Sequence, residues 1–284
     1  MKISVIIPTW NRSSYLARAL ESVFAQSVLP HEVIVVDDGS TDNSREIIKR
    51  DFRDVRYLYQ ENRGVSSARN TGILAAGGDW IALLDSDDRW EPHKLERQQH
   101  ALQARPDATM CHSNETWIRN GKRVNPMNKH AKRGGLIFQH CLPLCVISPS
   151  AAVIKRELFD EIGLFDEALP ACEDYDLWLR ICATHPVLYL EEPLLIKYGG
   201  HADQLSRRHW GMDRFRIHAL EKILGTGTLT AEDHAAALGM LQKKIGIVIQ
   251  GADKRNNTEL ANRYREKLQA CLPVQTEHRA AALS

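Results

Sequence analysis

Four short apolar runs in the first third of the chain, each followed by residues of helical period, leave few folds open. Ile3 to Ile7, Val33 to Val36, Val55 to Tyr59 and Trp80 to Leu84 read as strands. Between the first two, Tyr15, Leu16, Ala19, Leu20, Val23 and Phe24 fall on one helix face. Ile47 and Ile48 mark a second helix, capped by Ser40 or Thr41, and Val65 to Ala76 a third, opened by Ser66-Ser67. The runs are continuous rather than alternating, as in strands covered on both faces. This βα alternation predicts an α/β fold built on a mainly parallel sheet flanked by helices. Each strand empties into polar residues, so these collect on one edge of the sheet, where α/β folds bind ligands.

The fourth strand delivers Asp85-Ser86-Asp87-Asp88. Like charges so close raise one another's pKa, and water, hydrogen-bond donors or a cation must compensate them. Oxygen ligands in such a position suit Mg²⁺ or Mn²⁺ held against a phosphate-bearing substrate, although a solvated turn uses the same residues.

Composition excludes several classes. The chain has 284 residues, 43% of them hydrophobic and 26% charged, which is ordinary for a globular protein. Its net charge of +1 gives no electrostatic case for nucleic acid as a partner. Residues 201–284 are mildly basic, with 13 Lys and Arg against 9 Asp and Glu. No apolar run approaches the ~20 residues that span a bilayer, and Met1 to Ile7 runs into Pro8 without a cleavage site. The cytoplasm is the expected compartment. Six cysteines without a Cys-x-x-Cys pair predict reduced, mostly buried thiols.

The second half is looser. Glu115 to Ile118 and Lys122 to Val124 predict a hairpin around Asn120-Gly121, and the polar stretch 126–135 predicts a mobile loop. Ala151 to Ile154 reads as a strand, Lys155 to Ile162 and Tyr175 to Ala183 as helices, and Val187 to Leu190 as a return to the sheet. After His209 the period is helical throughout, with Leu238, Leu241, Ile245 and Val248 on one stripe and Leu260, Tyr264 and Leu268 on another. A boundary is expected near residue 207, separating domain 1–207 (nucleotide half about 1–110, acceptor half about 111–207) from a helical extension, 208–284.

Five clusters now stand in order: Pro8-Thr9-Trp10-Asn11-Arg12, Asp37-Asp38, Asn62-Arg63-Gly64 through Ala68-Arg69-Asn70, Asp85-Ser86-Asp87-Asp88, and Glu173-Asp174. In this order, over roughly residues 3 to 206, the chain resembles the family 2 glycosyltransferases, whose nucleotide-binding fold is called GT-A. The resemblance implies that Asp38 accepts from the ring N–H of a uracil-type base, with Pro8, Thr9 and Asn62 along the nucleotide. It places Arg69 on the nucleotide or diphosphate. Asp85 becomes the ribose or a second metal contact, Asp87 the metal ligand, and Asp88 the start of the helix after Pro92 or a supporting group. His201 would approach the metal or diphosphate, and an imidazole there favours Mn²⁺ over Mg²⁺. Asp174 is the implied base, with Glu173 orienting it or binding acceptor hydroxyls and Asp176 in reserve. Acidic residues at a helix N-terminus are also favoured by the dipole alone. Trp178 could pack or floor the acceptor pocket.

The expected reaction is metal-dependent transfer with inversion, from a nucleotide-sugar donor, a UDP-sugar favoured, to a glycan or lipid-linked acceptor in cell-surface polysaccharide synthesis. Two rivals remain. A sugar nucleotidyltransferase would want a glycine-rich loop after the first strand, which Pro8 to Arg12 lacks; a non-catalytic sugar-nucleotide-binding subunit would not need intact Asp87, Glu173 and Asp174. The terminal helices, with Lys243-Lys244 and Lys254-Arg255, suit a packed extension, a dimer interface or peripheral membrane contact.

Overall fold

A computed structural model describes residues 1–200 and 209–272. Strands β1 (Ile3–Thr9), β2 (Glu32–Asp37), β3 (Arg56–Tyr59) and β4 (Trp80–Leu83) run parallel in the order β3-β2-β1-β4. They alternate with helices α1 (Ser13–Phe24), α2 (Ser44–Asp51) and α3 (Val65–Ala75). Val5 and Ile7 pack with Leu16 and Leu20 of α1, while Ile6 turns to the other face against Ala68 and Ile73 of α3. With both faces covered, every residue of β1 is buried, which is why its sequence shows no polar alternation.

The next elements are β5 (Arg89–Trp90), α4 (Lys94–Ala104), β6 (Met110–Arg119), β7 (Lys122–Val124), α5 (Phe138–Cys141), β8 (Ala152–Lys155), α6 (Leu158–Ile162), α7 (Glu173–Thr184) and β9 (Leu188–Gly199). The sheet continues β4-β8-β6-β9-β5, with β8 antiparallel to both neighbours, β9 parallel to β6 and β5 antiparallel to β9. The expected hairpin joins β6 to β7 through Asn120 and Gly121, both at positive φ (49° and 74°).

Three helices complete the described chain: α8 (Asp213–Leu224), α9 (Ala231–Asp253) and α10 (Thr258–Ala270). Thr230 and Asn257 cap α9 and α10 by accepting from the Asp233 and Leu260 amides. Ile217, Leu220 and Ile223 of α8 and Leu241, Ile245 and Val248 of α9 join the core that holds Tyr175 and Leu179 of α7. These helices thus share one hydrophobic core with α7 and the sheet. The proposed boundary near 207 falls within 201–208, outside the described residues. No helix among the described residues is long and apolar enough to cross a membrane.

Several local expectations are corrected. The last strand runs to Gly199, not Leu190, because register shifts opposite Ser113 and Asn114 carry the ladder past Glu191-Glu192-Pro193. The polar stretch 126–135 is tethered: buried Lys132 pairs with Glu115 at 3.3 Å and donates to the Val146 carbonyl at 2.7 Å, and Gly135 bridges to Val187. Asp42, not Ser40 or Thr41, accepts from the Ser44 amide at the start of α2. The helix expected from Lys155 begins at Leu158.

Two stability measurements follow from this packing. A Cβ on Gly72 would lie 2.4 Å from Ile6 Cγ2, so α3 can approach β1 only with glycine there. Gly72→Ala should lower stability by about 1–3 kcal/mol in denaturant titration. Burial pushes the Glu115 carboxyl up, but Lys132 and Lys197 outweigh it and hold its pKa at about 2, below the ordinary 4.5. A depressed carboxyl stabilises the fold above pH 4.5 and loses that contribution as pH falls towards 2. Glu115→Gln should therefore flatten the stability–pH curve across that acid window.

Candidate functional site

The strand ends and the start of α7 enclose a cavity of about 420 Å³. Its wall brings together Pro8, Thr9, Asp38, Asn62, Arg69, Asp85, Asp87, Glu173 and Asp174, every site residue expected from sequence except His201. His201 lies outside the described residues. The wall carries six carboxylates, adding Asp88 to those named, against three cations, Arg12, Arg69 and Lys197. How each charge is compensated determines what the cavity can hold.

At the nucleotide end, the turn after β2 is organised by its two aspartates. Asp37 accepts from the Ser40 amide and the Tyr57 hydroxyl, both at 2.7 Å, and so serves the turn. Asp38 is buried and its carboxylate accepts from Gln60 Nε2 and from the Arg63 and Gly64 amides at 2.7–2.9 Å. Asn62 closes the same loop by donating to the Asp38 carbonyl at 2.9 Å. A carboxylate has about four lone-pair sites, so Asp38 retains capacity for one further donor. Thr9 Oγ1, also in the wall, is buried without a hydrogen-bond partner among the described residues.

Arg69 links the two ends of the cavity. Only 3% exposed, it donates from Nη1 to Glu173 Oε1 and from Nη2 to Asp85 Oδ1, both at 2.7 Å, over the Phe165 ring. Burial pushes the Asp85 carboxyl up, yet Arg69 outweighs it and the pKa is lowered. Glu173 is raised, by burial and by adjacent Asp174. Asp87 pairs with the guanidinium of Arg12, and its backbone carbonyl accepts from Arg18 Nη2 at 2.7 Å.

Asp88 takes the second of its two expected places, that of a supporting group. It neither opens the following helix, which starts at Lys94, nor faces solvent; it is buried, accepting from Ser150 Oγ at 2.7 Å and the Tyr198 amide at 3.1 Å. Burial and neighbouring Asp87 push its carboxyl well up. Lys197 brings the compensating charge. Burial acts to lower its pKa, but Glu115, Asp88 and Asp85 raise it, so the ammonium stays charged.

The acidic pair at the start of α7 is set by Cys172, whose φ of 62° turns the chain sharply into the helix. Asp174 Oδ1 accepts from the Tyr175 amide at 2.7 Å, and Cys145 Sγ lies 3.1 Å from Oδ2. The Cys172 thiol is pushed up to about 12 by burial and by Asp174. Asp176 is not in reserve: its buried carboxylate is paired with Arg180 and Lys222. Trp178 is 1% exposed and donates to the Ile147 carbonyl, so it packs rather than flooring a pocket.

Sequence reasoning gave no role to Lys197, Tyr198, Cys145 or Arg12. For Lys197 the available signal was the apolar run Leu194-Leu195-Ile196 beyond Pro193, which extends the strand to the site. Nothing local distinguishes Cys145.

This topology, with its acid-rich cavity at the strand ends, defines a GT-A glycosyltransferase fold. The family model for glycosyl transferase family 2 matches residues 4–163, and the chain belongs to that family. A Rickettsia felis protein named as an uncharacterized glycosyltransferase is 33% identical over 220 residues, covering 72% of this chain and 35% of the relative. The chain thus spans about a third of that relative's length. Residues 1–349 of S. aureus TarS in complex with UDP-GlcNAc superpose with a TM-score of 0.66 at 17% identity, covering 95% of this chain and 92% of that one. The Pyrobaculum calidifontis mannosyltransferase PcManGT, in complex with GDP-Man and Mn²⁺, gives 0.62 at 18% identity, covering 95% and 84%.

Arg69→Met should strand the buried Glu173 and lower stability by about 3–5 kcal/mol. Adding Glu173→Gln should recover part of that loss, measured as a double-mutant cycle by denaturant titration.

Proposed function

We propose that this chain transfers a sugar with inversion from a nucleotide diphosphate sugar, a UDP-sugar foremost, to a hydroxyl of a glycan or lipid-linked acceptor. The setting we favour is cell-surface polysaccharide synthesis on the cytoplasmic side. The observation that carries this reading is the convergence of Asp38, Arg69, Asp85, Asp87, Glu173 and Asp174, from separate segments, on one cavity. Family membership and fold neighbours captured with UDP-GlcNAc and GDP-Man support it.

In this reading the remaining acceptor capacity of Asp38 meets the base N–H, and Thr9 Oγ1 gains a partner along the nucleotide. The excess of carboxylates over cations suits a divalent cation that arrives with the diphosphate. No group of three His, Cys, Asp or Glu among the described residues forms a ready-made cage. That is acceptable for an ion completed by water and phosphate oxygens. Asp87, with Asp85 and His201, would hold it, Mn²⁺ rather than Mg²⁺, and Asp87 would exchange its Arg12 partner to do so. When bound, the ion takes up negative charge developing on the leaving diphosphate.

The protein's own groups account for the rest. Asp174 is partly exposed at the cavity wall and takes the acceptor hydroxyl's proton as that oxygen attacks the anomeric carbon. Glu173, fixed by Arg69, orients the same end of the cavity. Arg12 and Lys197 offer positive charge to the departing diphosphate. With a single base and direct displacement, the product is inverted.

Asp174→Asn should cut sugar transfer about 10²–10⁴-fold while UDP still binds. Chelation should abolish turnover, with Mn²⁺ restoring it. Tight UDP-sugar binding with neither transfer nor slow hydrolysis at any Mn²⁺ concentration would instead mark a non-catalytic sugar-nucleotide-binding subunit.

A further inference from the structure

A second cavity, about 330 Å³, lies between the 129–130 turn, residues 143–145, and helices α8 and α9. Lys129, His130, Arg216, Lys243 and Lys244 line it, and Asp213 is its single acid among the described residues. That one carboxylate serves two cations: its Oδ1 accepts from Arg216 Nη1 at 2.9 Å and from Lys244 Nζ at 3.0 Å. Lys244, 4% exposed, is otherwise held by the Pro143 carbonyl at 2.8 Å. Arg216 Nε is buried with no hydrogen-bond partner among the described residues. Two cations sharing one carboxylate oxygen in a partly buried setting leave an uncompensated positive charge, and a further anion relieves it. Lys129 and Lys243, both exposed, add to the same field at the rim.

The position is as informative as the charge. Cys145 lines this cavity, and its Sγ lies 3.1 Å from Oδ2 of Asp174, which lines the first. Met212 belongs to the wall of the first cavity and Asp213 to that of the second. The two spaces are therefore separated by little more than single side chains, on the side of the donor cavity that carries Asp174.

We propose that the second cavity is an acceptor subsite that binds a phosphate group of the acceptor while a hydroxyl of the same molecule reaches Asp174. Phosphate is favoured over carboxylate because four Lys and Arg side chains face one acid, and a group with several charge-accepting oxygens can meet Arg216, Lys244 and the rim lysines together. This inference rests on the transferase reading for its purpose but not for its binding chemistry.

Titration calorimetry of the full chain with glycerol 1-phosphate tests it. Saturable binding is expected, weakened at least about tenfold by Lys129→Glu/Lys243→Glu, whose exposed positions leave folding intact by thermal melt, and retained in Arg12→Ala. Absence of saturable binding, binding lost in Arg12→Ala but not in the double reversal, or binding of glucuronate in preference to glycerol 1-phosphate would overturn it. Hydrolysis of UDP-sugar by the wild-type chain is measured in parallel. Phosphate binding that follows Lys129 and Lys243 in a chain without hydrolysis keeps the anion site and removes the transferase reading instead.

Discussion

The buried guanidinium of Arg69 is the interaction on which the site depends. It leaves α3 in the parallel half of the sheet and meets Asp85 at the end of β4 and Glu173 at the start of α7. Without it, two carboxylates from distant segments would face each other across a poorly solvated space, at a cost of several kcal/mol per unpaired ion. With it, the parallel half and the helix bearing Asp174 are fixed relative to one another. The same group that makes the acidic wall tolerable also sets its dimensions.

The remaining charges follow a consistent division. Asp37, Asp88 and Asp176 are spent on structure, held by Ser40 and Tyr57, by Ser150 and Tyr198, and by Arg180 and Lys222. Asp38, Asp87 and Asp174 keep a face on the cavity while being steadied from behind by amides, an arginine or a thiol. Steadying of this kind limits the motion of a reacting group before a substrate arrives, which is what positioning requires.

The parallel half was legible because strand burial, helix period and polar strand ends all pointed the same way at Val33 to Asp38 and at Trp80 to Asp88. Burial on every side erased the amphipathic signal in α7, so Trp178 could not be placed from its spacing. Asp88 was set apart from its neighbours, but the choice between its two roles rests on Ser150, 62 residues away, and on the Tyr198 amide. Lys197 was missed because Glu191-Glu192-Pro193 imitates a chain reversal that a bulged ladder in fact absorbs. Contacts that span such separations leave no periodic trace, whereas the elements that carry them do.

The closing role of β9 has a consequence for how the protein is made. The β1–β4 half consists of βα units with short connections, so its strand pairings are local in sequence. The acidic end of β4 cannot be finished by these alone, because the Lys197 ammonium and the Tyr198 amide that serve Asp88 are encoded more than a hundred residues later. A nascent chain therefore leaves Asp88 without its Lys197 and Tyr198 partners until the last strand docks between β6 and β5, while Arg12 and Arg69 already stand in the chain for Asp87 and Asp85. Completion of the cavity is in this way a long-range event that follows the local pairings of the first four strands.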